Sequence, residues 1–175
     1  MDFKKFVVIP VFIAFLASAF IVLDQLISPL MPIADNKGFG WVTFQAWAMY
    51  FLAGCTVKGG ARTFLGYVLG LLSAVIIIKL AGLVGSTGFW AVPIAVLIMV
   101  IPMCSMERAN SYIDFVPAIF VSSAVLFAFT QIYPATSLAS SAITILVYCA
   151  IGMILGYVTI YLRTAYEKKV AKTSK

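Results

Sequence analysis

The stretch Tyr50–Gly70, YFLAGCTVKGGARTFLGYVLG, decides the fold. An apolar run closes at Cys55. A short segment with the adjacent pair Gly59 and Gly60 follows, flanked by Lys58 and Arg62. A second apolar run then opens with Gly66-x-x-x-Gly70. Two apolar runs joined by a tight, basic, glycine-containing link read as a helical hairpin whose turn lies at one face of a membrane.

The rest of the chain has the same character. Of its 175 residues 63% are hydrophobic and 10% charged, and the mean hydropathy is +1.10. Soluble domains are about 45–50% apolar and about 25% charged. An excess of this size would lie in exposed patches in water, so a bilayer is the natural solvent. A span needs about 20 apolar residues, and the chain divides into six such runs, at about 6–23, 39–56, 63–82, 89–106, 114–133 and 138–162. Residues 164–175 form a basic tail. The runs are continuously apolar, without the alternation of barrel strands. The expected fold is an all-α, polytopic bundle of six transmembrane helices in one domain.

Charge predicts the orientation. Lys4 and Lys5, Lys58 and Arg62, Arg108, and the five basic residues from Arg163 onward make ten of the twelve Lys and Arg. With the N-terminus inside, all ten face the cytoplasm, as the positive-inside rule requires. Both termini are then cytoplasmic and the number of spans is even. Ala17-Ser18-Ala19 resembles a signal-peptidase site, but apolar residues continue through Leu23, so an uncleaved first helix is expected. The net charge of +6 reflects this topology; no aromatic and basic interleaving points to nucleic acid.

The residues also carry a resemblance to a known family. The segments AGCTVKGGARTFLGYVLGLLSAVI and SYIDFVPAIFVSSAVLFAF resemble the DUF1097 family. Cys55, Gly59, Gly60, Phe115, Val116, Pro117 and Ala118 match its pattern of a cysteine-containing span end before a Gly-Gly turn and a later F-V-P-small helix opening. Ala118 stands where a glycine is often found. The resemblance covers about residues 39–156. It implies a multi-pass location in a bacterial inner membrane and a helical fold, and no cofactor or catalytic residue.

Few residues offer chemistry. The chain has no histidine to act as a base near neutral pH. Its three cysteines, Cys55, Cys104 and Cys149, lie in separate runs without metal-ligand spacing, and Gly59-Gly60 lacks the spacing of a phosphate loop. No metal, cofactor or enzymatic activity is expected, and a lipid-modifying enzyme is the least favoured of three functional classes. Lys79 is the one basic residue inside a run. It either snorkels to the interface or forms an intramembrane pair with Asp24, which the topology places at a similar depth. Gln45 and a series of Ser and Thr residues in the spans could line a route for a small polar solute, or bond between helices. Asp114 is expected to cap the fifth span, with Pro117 in its first turn. Gly66-x-x-x-Gly70 and Gly152-x-x-x-Gly156 allow close helix approach, within one subunit or between subunits. The leading expectation is a small-solute channel or permease, uncoupled and homo-oligomeric. The second is an accessory subunit of a larger membrane complex.

Overall fold

The computed structural model describes residues 3–173, and the chain it shows is a helical membrane bundle. A short turn, α1 (Phe3–Phe6), leads into α2 (Val8–Ile27), α3 (Gly40–Leu52), α4 (Val57–Leu83), α5 (Ala91–Ser105), α6 (Val116–Ile132) and α7 (Leu138–Thr173). Among the described residues there are no strands. The six expected apolar runs are therefore all helical.

Their lengths differ from the expected layout. Four helical stretches are long and apolar enough to cross a membrane: Phe3–Leu30, Val57–Leu83, Gly85–Arg108 and Leu138–Lys172. α6 has 17 residues and α3 only 13, about 20 Å at 1.5 Å per residue. The approach to α3 is folded into the protein: Ile33 and Phe39 are buried. The Asn36 side-chain amide donates to the carbonyls of Ser28 and Ile33 at 3.1 and 2.8 Å. Irregular backbone at this depth is tolerated where protein, rather than lipid, surrounds it.

The Gly-Gly turn is corrected. Gly59 and Gly60 are buried in the first turns of α4, and Lys58 and Arg62 are helical with them. The chain reverses at 53–56 instead. Gly54 and Cys55 take φ of 95° and 58°, the left-handed geometry that ends many helices. Thr56 then caps α4, its hydroxyl accepting from Gly59 N–H at 2.9 Å. The second correction is Asp114. Phe115 occupies the N-cap of α6 without a side-chain bond, and the Asp114 carboxylate pairs with Arg62 Nε at 2.5 Å. A cationic partner from α4 outcompetes the backbone for this carboxylate. Pro117 does occupy the first turn of α6. The basic tail, finally, is not a separate segment over its described part: α7 continues as one helix through 36 residues to Thr173.

The two most extensive helix contacts are α4 on α6 and α3 on α7. Glycine makes both possible. A side chain at Gly66 would meet Ala118 Cβ at 2.7 Å, and one at Gly70 would overlap the Ser122 hydroxyl and the Ile119 carbonyl. On α7, Gly152 faces the Thr43 carbonyl and Ala46 of α3, and Gly156 faces the ring of Tyr50. Both glycine faces thus pack within one chain. α4 also touches α5 and α7 and stands at the centre of the bundle. α2 and α5 lie outside, with Phe15, Leu26, Leu97 and Ile101 exposed, as suits helices facing lipid chains.

Candidate functional site

The most deeply placed acid is Asp24, near the end of α2 and 7% exposed. Its Oδ1 accepts from the Tyr148 hydroxyl at 2.6 Å and from Phe39 N–H at 3.1 Å; its Oδ2 accepts from Gly40 N–H at 3.0 Å. Asp24 therefore caps α3 from a residue sixteen positions earlier and ties α2 to α7. The N-terminal end of α3 carries partial positive charge, which compensates the carboxylate. Gly38, at φ 94°, approaches so closely that a Cβ there would stand 2.5 Å from Asp24 Oδ2.

Aromatic rings surround this carboxylate. Phe39 lies 5.3 Å from Tyr148, 5.4 Å from Phe129 and 5.8 Å from Tyr133, measured between ring centres. Phe20 packs edge-on against Tyr148 at 6.4 Å. Above the cluster a cleft of about 660 Å³ opens between the 31–39 segment and the α6–α7 link, lined by Asp35, Lys37, Tyr133, Thr136 and Ser137 among others.

The expected Asp24–Lys79 pair is not formed. The two ion pairs among the described residues are Arg62–Asp114 and Arg163–Glu167. Lys79 is exposed on α4. Gln45 is likewise exposed, on the outer side of α3. The hydroxyls of the spans mostly return to their own helices: Ser73, Thr130, Thr144 and Thr159 each donate to a carbonyl three or four residues back. Two bridge helices. Thr43 Oγ1 donates to the Tyr148 carbonyl at 2.9 Å, and Ser123 Oγ to the Gly70 carbonyl at 2.7 Å.

Among the described residues three buried polar atoms have no hydrogen-bond partner: Trp47 Nε1, Thr63 Oγ1 and the Tyr67 hydroxyl. Thr63 and Tyr67 are one turn apart on α4 and fully enclosed. An unsatisfied buried donor or acceptor costs about 1–3 kcal/mol. Sequence reasoning passed over Trp47 and Tyr67 because an aromatic residue in an apolar run reads as core, and over Thr63 because it stands at the edge of its run. It also missed Tyr148 as the partner of Asp24, since a partner 124 residues away leaves no local signal.

At the opposite end of the bundle the basic residues gather. Lys58 lies over the ring of Tyr112 at 5.3 Å and Arg62 over Phe115 at 5.2 Å. The Tyr166 hydroxyl donates to the Lys5 carbonyl at 2.8 Å, so the beginning of the described chain and the end of α7 lie together. Among the described residues no group of three metal-ligating side chains occurs.

The family model for DUF1097, a protein of unknown function, matches residues 7–163. The chain belongs to the DUF1097 family. No curated protein and no solved structure matches it. The DUF1097 match takes in every side chain of the Asp24 centre and both glycine faces. It also gives the motif positions a structural reading. Cys55 and Gly59 build the α3–α4 reversal, and Gly60 lies against the ring of Tyr50. Phe115, Val116 and Pro117 start α6, where Phe115 holds Arg62. At Ala118, where a glycine is often found, the helices approach closely because Gly66 on the facing helix supplies the space.

Proposed function

We propose that this DUF1097 protein is a permease for a small polar solute, with the basic end of the bundle facing the cytoplasm of a bacterial cell. One observation carries the reading: two clefts at opposite ends of the bundle, with the buried polar groups placed between them. The first is the 660 Å³ cleft over Tyr133. The second, about 520 Å³, lies between the α3–α4 reversal and α7 and is lined by Tyr50 and Tyr157 among others. Tyr148, at the Asp24 centre, and Tyr157 are nine residues apart on α7, about 14 Å along the axis. Tyr67 shares the core cluster with Tyr148. Close packing at the glycine faces closes the space between the clefts, which favours an occluded carrier over an open pore.

The test is osmotic swelling of proteoliposomes with a panel of neutral, amine and carboxylate solutes, comparing wild type with Tyr67→Phe. The Tyr67 hydroxyl has no partner, so its removal leaves the fold intact. Solute-selective swelling that changes in the variant supports the permease. Absence of flux for every solute, from folded protein, overturns it. The second reading, an accessory or homo-oligomeric membrane subunit, is favoured by the exposed apolar faces of α2 and α5. It predicts co-purification with a partner, or a discrete oligomer without flux.

A further inference from the structure

α3 turns one face away from the bundle. Its inner face packs on α7 through Thr43, Ala46 and Tyr50. On the other side Phe44, Gln45, Ala48, Phe51 and Leu52 are exposed, and Trp41 is half-buried. Trp41, Gln45, Ala48 and Leu52 follow one another at intervals of four, three and four residues, the spacing of a left-handed helix seam.

Two features set this face apart from the apolar sides of α2 and α5. The first is Gln45, whose carboxamide makes no hydrogen bond among the described residues. Thr43 reaches the Tyr148 carbonyl and Gly152 faces Ala46, so Gln45 stands level with residues 148–152 of α7. That is the middle of the apolar run 138–162. A carboxamide at this depth has no water to bond, and such side chains pair across helices in membranes. The second feature is length. α3 has 13 residues, about 20 Å, against a hydrocarbon core of about 30 Å. A helix too short for its bilayer is accommodated by thinning the bilayer or by oligomerising. The neighbouring stretches Phe3–Leu30 and Leu138–Lys172 are long enough to cross and hold the bilayer at full thickness, which leaves oligomerising.

The chemistry of the face selects the partner. Two copies inserted with the same orientation are related by an axis normal to the membrane, so each residue lies at the depth of its own copy. Gln45 then meets Gln45. A carboxamide carries two donors and an acceptor, so each of the pair satisfies the other. Ala48 meets Ala48, where small side chains let the backbones approach. No residue of the face is charged, so nothing in it repels a second copy.

We propose that this chain forms a parallel twofold dimer through the outer face of α3, with the two Gln45 carboxamides bonded to each other at mid-membrane and Ala48 at the closest approach. The dimer stands whether or not the bundle carries a solute.

The experiment is thiol cross-linking of the full chain in phosphatidylcholine vesicles, in a Cys55→Ser, Cys104→Ser background that keeps only the buried Cys149. Ala48→Cys is expected to give a covalent dimer with a short bis-maleimide. Ile101→Cys, on the exposed side of α5, is expected to stay monomeric. Adding Gln45→Leu to Ala48→Cys is expected to weaken association about eightfold, two hydrogen bonds at about threefold each, read from the cross-linked fraction as the protein is diluted in lipid. Gln45 and Ala48 are both exposed, so neither substitution disturbs the packing of the bundle, and circular dichroism of each variant checks this. Equal cross-linking at Ala48→Cys and Ile101→Cys would report random collision and overturn the dimer, as would a monomeric Ala48→Cys. Association unchanged by Gln45→Leu would overturn the carboxamide pair.

Discussion

The Tyr148 hydroxyl lies 2.6 Å from the Asp24 carboxylate, joining α7 to α2 across 124 residues of sequence. The same carboxylate holds the first two N–H groups at the α3 entrance. One acid thus fixes three helices at one end of the bundle. α2 has few other buried residues, only Ile9 and Phe20, so this junction is its principal anchor.

Removing the acid exposes that dependence. Asp24→Ala leaves two backbone donors and the Tyr148 hydroxyl without an acceptor, and is expected to destabilise by about 3 kcal/mol. Asp24→Asn keeps one acceptor oxygen and costs less. Tyr148→Phe removes one hydrogen bond to a charged group, worth about 1.5–3 kcal/mol. Thermal unfolding in detergent orders the three; a Tm for Asp24→Ala equal to wild type would contradict the anchor.

The glycines differ in what they tolerate. Gly70→Ala drives a Cβ into the Ile119 carbonyl, which is backbone and cannot move aside. Overpacking of this kind costs about 1–3 kcal/mol. Gly82→Ala enters open space and is neutral or stabilising, since alanine is the better helix former by up to about 1 kcal/mol. Folded yield by size-exclusion chromatography separates the two.

Arg62 and Asp114 retain 30% and 21% side-chain exposure. Their coupling in a double-mutant cycle is therefore expected at about 0.5–1 kcal/mol, decreasing with salt. A coupling that persists unchanged at high salt would mean that the pair is more enclosed than its exposure indicates.

Lys79→Met is expected to leave both fold and solute flux unchanged, because the side chain is exposed and distant in role from the Asp24 centre. Flux measured in the proteoliposome assay checks this. A change in selectivity would return Lys79 to the route.

Thiol accessibility tests the orientation. Cys149 is buried and resists maleimide until the protein unfolds, whereas Cys55 lies at the partly exposed reversal. In a Cys104→Ser background, a membrane-impermeant maleimide should reach Cys55 only from the cytoplasmic face. Labelling from the outer face would invert the proposed topology.

Much of the α3–α4 reversal was legible once the right signals are weighed. Gly54 after an apolar run is a common helix end, and Thr56 is a preferred N-cap; together they outrank the Gly-Gly pair. Gly59 instead lets the first turn of α4 approach the Ala53 carbonyl, and Gly60 admits the Tyr50 ring against α4. Asp114 illustrates the opposite case. Its spacing to Pro117 is right for a cap, yet Arg62 takes the carboxylate, and nothing local in the sequence announces a partner 52 residues away.

Composition and run length by themselves determined the solvent, the helical class and the grouping of basic residues, because burial in lipid demands apolar side chains and internally satisfied backbone at every crossing. The small-x-x-x-small faces were also visible, since glycine spacing is a local pattern. Which helices those faces meet, which donors satisfy Asp24, and which polar atoms stay unpartnered were decided only by the tertiary structure. Apolar helices of similar composition can pack in many pairings, and the one adopted depends on surfaces brought together across more than a hundred residues.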